Sequence, residues 1–66
     1  KVIVINVEGM MCKHCKAHVE NACMNVAGVL SCEASLELKN VTINCENYVS
    51  EEEIAKSIVD AGYEVK

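Results

Sequence analysis

Apolar residues in this chain recur with two periods, one of two residues and one of about 3.6, and the order in which those periods alternate limits the folds open to it. From Val2 to Glu8, Ile3, Ile5 and Val7 fall on one face and Val2, Val4, Asn6 and Glu8 on the other, which predicts a strand. Gly9 frees the backbone for a turn. From Lys13 to about Ala27 the period changes: Cys15, Val19, Ala22, Cys23 and Val26 line one side of a helix, and Gly28 sits where it would end. Leu30 to Leu38 alternates again, with Leu30, Cys32, Ala34, Leu36 and Leu38 against Ser31, Glu33, Ser35 and Glu37. Lys39-Asn40 is the predicted hairpin turn, and Val41, Ile43 and Cys45 mark the partner strand. Ser50 with Glu53 forms a capping box for a second helix, striped by Ile54, Ile58 and Ala61 and stopped by Gly62. Tyr63 to Lys66, with Tyr63 and Val65 on one face, reads as a final edge strand.

The order is therefore βαββαβ in 66 residues, one domain spanning residues 1–66. With right-handed crossovers, its simplest fold is α+β of the ferredoxin-like type: a four-stranded antiparallel sheet in the order 4-1-3-2, both helices on one face. That topology gathers three connections at one end, namely strand 1 to helix 1, the hairpin, and helix 2 to strand 4. Cys12, Cys15 and Tyr63 are predicted to share that end.

Composition narrows the function. Hydrophobic residues make up 52% of the chain, yet Tyr48 and Tyr63 are the sole aromatics and Pro is absent, so the core is built from Val, Ile, Leu, Ala, Met and Cys. A chain this short has no room for a deep enzyme cleft. Ten acidic against six scattered basic residues argue against nucleic acid. No apolar run approaches the length needed for membrane insertion, and no leader pattern opens the chain. Lys1 in place of Met is compatible with a removed initiator, a removed leader or a longer parent. Five cysteines, an odd number, argue against a disulfide framework and for a reducing, cytoplasmic setting.

The chemistry concentrates in Gly9-Met10-Met11-Cys12-Lys13-His14-Cys15. Two cysteines three apart, where a strand hands over to a helix, can aim both sulfurs at one point beside the unpaired N–H groups of the first helical turn. Those groups favour thiolates, and thiolates bind soft metals. A thioredoxin-type thiol-disulfide oxidoreductase is the alternative from another class, but it wants a longer chain and a cis-Pro facing its dithiol. A c-type haem site needs His after the second Cys, where Lys16 stands. A structural zinc site needs four convergent ligands, while Cys23, Cys32 and Cys45 read as core-facing.

Gly9-Met10-x-Cys12-x-x-Cys15, Val19 on the helix, the Gly28-Val29 boundary and Asp60-Ala61-Gly62-Tyr63 together resemble the heavy-metal-associated domain family across the whole chain. Within it the chain is similar to bacterial copper chaperones, which often carry a His before the second Cys, as His14 does here. The same pattern occurs in N-terminal domains of copper-transporting P-type ATPases and in mercury-binding periplasmic proteins. The resemblance implies one Cu(I) held by Cys12 and Cys15 and delivered, without catalysis, to a copper-transporting P-type ATPase or another copper-accepting protein. It also implies that Met10 braces the loop from the core and that Tyr63 packs near the site, neither as a ligand. Mercury, zinc or cadmium on the same fold is an open alternative, as is a copper-bridged homodimer. Met11 stands where the family more often has Thr or Ser, and Cys23, Cys32 and Cys45 where it has other apolar residues.

Around the pair the readings divide. His14 either tunes the thiolates, as a supporting residue or a third ligand, or is an exposed loop histidine. Lys13 and Lys16 either add positive charge or are ordinary solvated lysines. His18 reads as a solvated helix residue, Met11 as an exposed loop residue and Met24 as surface or rim. Cys23, Cys32 and Cys45 read as small buried hydrophobes, with a contact between Cys32 and Cys45 allowed by the hairpin. Glu51-Glu52-Glu53 is a helix start that also adds to an acidic surface.

Overall fold

A computed structural model describes residues 1–66. The elements are β1 (Val2–Glu8), α1 (Lys13–Met24), β2 (Val29–Ser35), β3 (Asn40–Cys45), α2 (Glu51–Asp60) and β4 (Glu64–Val65). The strands form one sheet in the order β2-β3-β1-β4, all neighbours antiparallel, as the alternating periods predict. Register follows from which side chains must face inward. Ile3 lies opposite Ile43, Ile5 opposite Val41 and Val7 opposite Val65, so the apolar set of each strand falls on the same side.

That inner face, with Ile5, Val7, Ala34, Val41, Ile43 and Cys45, closes against Val19 and Cys23 of α1 and Ile54 and Ile58 of α2. Met10 and Val49 complete the core at its edges, and no polar or charged residue is buried. The other face presents Val2, Val4, Thr42, Asn44, Ser31 and Glu33 to solvent. Both helices thus cover one side of the sheet, and Ser57 Oγ ties them by donating to the Ala22 carbonyl at 2.6 Å.

Ser50 caps α2 as its sequence predicts, accepting from the Glu53 N–H at 3.3 Å, with Glu51 to Glu53 in the first turn. At the end remote from Cys12, Gly28 holds φ +92°, and a Cβ there would lie 2.6 Å from both Tyr48 Oη and Val49 Cγ2. Only glycine meets both conditions.

Four boundaries depart from the periodicity. First, α1 stops at Met24 instead of Ala27, and Val26 reaches the core from the following turn. Second, β2 ends at Ser35, so Leu36 to Lys39 form the hairpin turn predicted at Lys39-Asn40. Ser35 Oγ accepts from the Leu38 N–H at 3.1 Å, a local bond that turns the chain, and Leu38 is left 69% exposed. Third, a register shift between Val29 and Ser31 turns Val29 inward and Leu30 outward. Fourth, Ala61 is the exposed C-cap of α2 and does not extend its buried stripe.

The allowed contact between Cys32 and Cys45 is not formed, because the register sets Cys32 opposite Ile43 and Cys45 opposite Val29. Cys32 is only partly buried; its thiol donates to the Glu20 carbonyl at 3.0 Å and sits beside Cys23.

Candidate metal centre

Cys12 is the N-cap of α1. Its backbone is extended, its carbonyl accepts the first helical bond from the Lys16 N–H at 3.0 Å, and its side chain makes no cap bond. The sulfur that could have satisfied the helix end is therefore free to face solvent beside the unpaired N–H groups of the first turn. Cys15 follows within that turn, and Cys12 Sγ donates to Cys15 Sγ across 3.3 Å. No acidic residue occupies the first turn to compete for its positive end.

Gly9 makes the approach possible. With φ +95° it reverses the chain between β1 and the loop, and the Tyr63 ring lies against it, Cδ1 3.5 Å from where a Cβ would be. Met10 is 6% exposed and joins the core, anchoring the loop from below, while Met11 is 88% exposed. The topology brings Tyr63 to the same end, as traced from the sequence.

The five thiols separate into two kinds. The Met11 N–H, the neighbouring Cys12 thiol and the Tyr63 hydroxyl all stabilise the Cys15 thiolate, and together they lower its pKa from 9.0 to about 7. The same contact raises Tyr63, whose hydroxyl is a better donor to Cys15 when it keeps its proton. Burial acts the other way at Cys23, pushing it up to about 12 with Cys32 beside it, and burial also raises Cys32. Metal-binding and nucleophilic chemistry require the thiolate, so the surface thiols are the reactive ones.

Alkylation should report this directly. From pH 6 to 7 the rate at Cys15 is expected to rise about fivefold, and from pH 7 to 8 less than about twofold, because a thiol titrating near 7 is then nearly all thiolate. Peptide mapping by mass should find Cys23 and Cys45 unlabelled in the folded chain. A tenfold rise per pH unit persisting to pH 8 would contradict the assignment.

No third ligand is gathered around the pair: nowhere do three or more His, Cys, Asp or Glu side chains converge. His14 is exposed, and neither Lys13 nor Lys16 engages an ion pair, the one salt bridge being Lys66 to Glu8 at 3.1 Å. Neither surface depression is lined by Cys12 or Cys15; Cys12 is exposed, and Cys15 is partly buried against the edge of the core. His18 is the neighbour that sequence reasoning missed. Its Nδ1 lies 3.4 Å from Tyr63 Oη, and the signal for it was its place three residues past Cys15, on the same helical face.

The sequence profile of the heavy-metal-associated domain matches residues 4–64, and the chain belongs to that family. It is 47% identical over 64 residues to the copper chaperone CopZ of Staphylococcus haemolyticus, covering 96% of this chain and 94% of that protein. Among solved structures, a CopZ metallochaperone superposes over the whole of both chains with a TM-score of 0.96 and 37% identity. A copper binding domain from HMA7, a P-type ATPase, gives a TM-score of 0.92 and 38% identity over 98% of this chain and 89% of that one.

Proposed function

We propose that this chain is a copper carrier that takes one Cu(I) between Cys12 and Cys15 and hands it to a partner by thiolate exchange, without catalysing a reaction. The observation that carries the reading is a pair of sulfurs 3.3 Å apart at a helix N-terminus, Cys12 exposed and Cys15 partly buried beside it, with the Met11 N–H and its neighbours drawing the Cys15 thiol down from its ordinary range. The names of the relatives, copper chaperones and a copper-binding ATPase domain, support copper as the cargo.

Two sulfurs suit both halves of the task. Cu(I) is soft and tolerates low coordination, so two thiolates hold it firmly while leaving its sides open. An incoming thiolate from the partner can then add before either original one leaves, and the ion crosses through three-coordinate states. A dithiolate Cu(I) unit carries one net negative charge, which the N-terminus of α1 offsets in part. Lys13 and Lys16, both free of ion pairs, add positive charge around it. Met10 and Tyr63 hold the loop from the core side and the rim.

The acceptor in this reading is a copper-transporting P-type ATPase or another protein with a matching two-thiolate site, met in the cytoplasm, where thiols stay reduced. Bridging of two copies through shared copper follows the same chemistry at high loading. No helix is long and apolar enough to cross a membrane.

The test is anaerobic mixing of the Cu(I)-loaded chain with a metal-free ATPase metal-binding domain, the two separated by anion exchange. Copper is expected to distribute between them within the mixing time, with negligible turnover in a disulfide-exchange assay. Copper that stays with the loaded chain, or multiple turnover of disulfides, would contradict the carrier reading.

A further inference from the structure

β2 is an edge strand: it pairs with β3 on one side and with no strand on the other. In an antiparallel ladder, residues that bond to the neighbouring strand alternate with residues whose N–H and C=O point away from it. Ala34 is of the second kind, because its N–H donates to the Glu20 carboxylate of α1 at 3.0 Å. By the same alternation the Cys32 backbone, two residues earlier, also faces outward.

An outward row of this sort is a template for another strand, and native sheets keep such edges short, charged or covered. β4, at the opposite end of the sheet, is two residues long, whereas β2 runs for seven with Glu33 as its sole charge. One residue of α1 covers it. The Glu20 carbonyl accepts from the Cys32 thiol at 3.0 Å, which seats the helix over that point of the strand, and the Glu20 side chain reaches on to Ala34. Ala34 is 2% exposed, so without the carboxylate its N–H would lie buried and unpaired. Glu20 is itself half-buried and forms no ion pair, leaving the carboxylate to this one contact.

We propose that Glu20 closes the β2 edge against a second copy of this chain: its carboxylate occupies the N–H that an incoming β2 needs, and without it two copies pair β2 to β2. The occupant follows from the strand. Antiparallel pairing of identical edges is self-complementary about a two-fold axis. With Cys32 and Ala34 facing outward, the copies align either Cys32 with Cys32 or Cys32 with Ala34. The second alignment sets Glu33 against Glu33, which like charge disfavours, and the first sets Glu33 against Ser31. The device involves neither Cys12 nor Cys15 and needs no metal, so it stands apart from the carrier reading.

The experiment is sedimentation equilibrium of the reduced, metal-free chain, in which neither disulfides nor shared copper joins copies. The native chain is expected to stay monomeric. Glu20→Ala should dimerise, with a dissociation constant lower by about tenfold or more, since each copy no longer gives up a charged hydrogen bond on pairing. Glu20→Gln, which keeps a neutral acceptor, should fall between the two. Glu20→Ala combined with Ser31→Glu, which sets like charges opposite each other, should return to the monomer. Amide exchange locates the contact. In dilute Glu20→Ala the Ala34 N–H should exchange about tenfold faster than in the native chain, then slow again together with the Cys32 N–H as the dimer forms. Circular dichroism shows which variants fold, and Glu20→Gln carries the comparison where Glu20→Ala does not.

A folded Glu20→Ala chain that stays monomeric, or in its place a monomeric Glu20→Gln, would overturn the proposal. So would a dimer that Ser31→Glu leaves intact, one whose protected amides lie outside β2, or a native chain already paired through β2.

Discussion

Ile43→Ala is expected to lower the melting temperature by about 25 °C. Ile43 is fully buried at the middle of β3, opposite Ile3 on one side and Cys32 on the other. Truncating a buried Ile costs about 2–5 kcal/mol, part lost transfer energy and part cavity. A domain of this size is held by only about 3–10 kcal/mol in all. The core has no Phe or Trp whose repacking could fill the void, and the surrounding Val and Ile side chains are stiff at χ1. Val4→Ala, on the open face of the same sheet, should change stability by only about 0.5 kcal/mol. Thermal unfolding followed by circular dichroism gives both numbers. A shift below about 5 °C for Ile43→Ala would contradict the packing of the helices onto this face.

The core and the site were legible to different depths, and the reasons are local. Ile3, Ile5 and Val7 alternate without interruption and are bounded by Gly9, so β1, its inward face and its central place could be read directly. The capping residues Ser50 and Glu53 located α2 to within a residue. Cys12 and Cys15 stood out because three signals coincide there: ligand type, spacing, and the change of period from strand to helix. Tyr63 could be assigned to their end from topology alone.

The hairpin was misread because Leu36 and Leu38 continue the alternation of β2 although the strand has ended. What ends it is a hydrogen bond from the Leu38 N–H to Ser35 Oγ, and a residue, Lys39, at φ 55°. Lysine is not a residue that announces positive φ, so the turn had no compositional marker. The outward turn of Leu30 comes from the register shift beside it, a property of two strands together and of neither alone. The contact that the hairpin allows between Cys32 and Cys45 is not formed for the same reason: the neighbours of Cys32 are set by pairing register and by how α1 lies across β2, where Glu20 and Cys23 meet it. The Glu20 carboxylate also accepts from the Ala34 N–H at 3.0 Å, which ties α1 to this edge strand.

The fold serves the site by keeping chemistry and packing apart. Cys23 and Cys45 lie in the core and Cys32 packs against it, and burial holds Cys23 and Cys32 protonated. Two stand where a helix begins, with backbone N–H groups and a tyrosine hydroxyl to stabilise negative charge on Cys15. Met10 supplies a buried floor beneath a loop whose rim, Met11 and Lys13, is exposed.

Removing the two surface sulfurs is the change with the largest expected functional effect. Serine is close in size to cysteine and is a favoured N-cap residue at position 12, so the Cys12→Ser, Cys15→Ser variant should remain folded, and Cys23, Cys32 and Cys45 remain available to bind any metal held elsewhere. The direct measurement is an anaerobic Cu(I) titration of the native chain and this variant against a strong competing chelator. The account predicts that the native chain withholds one equivalent from the competitor and the variant none. One equivalent still tightly held by the folded variant would contradict it.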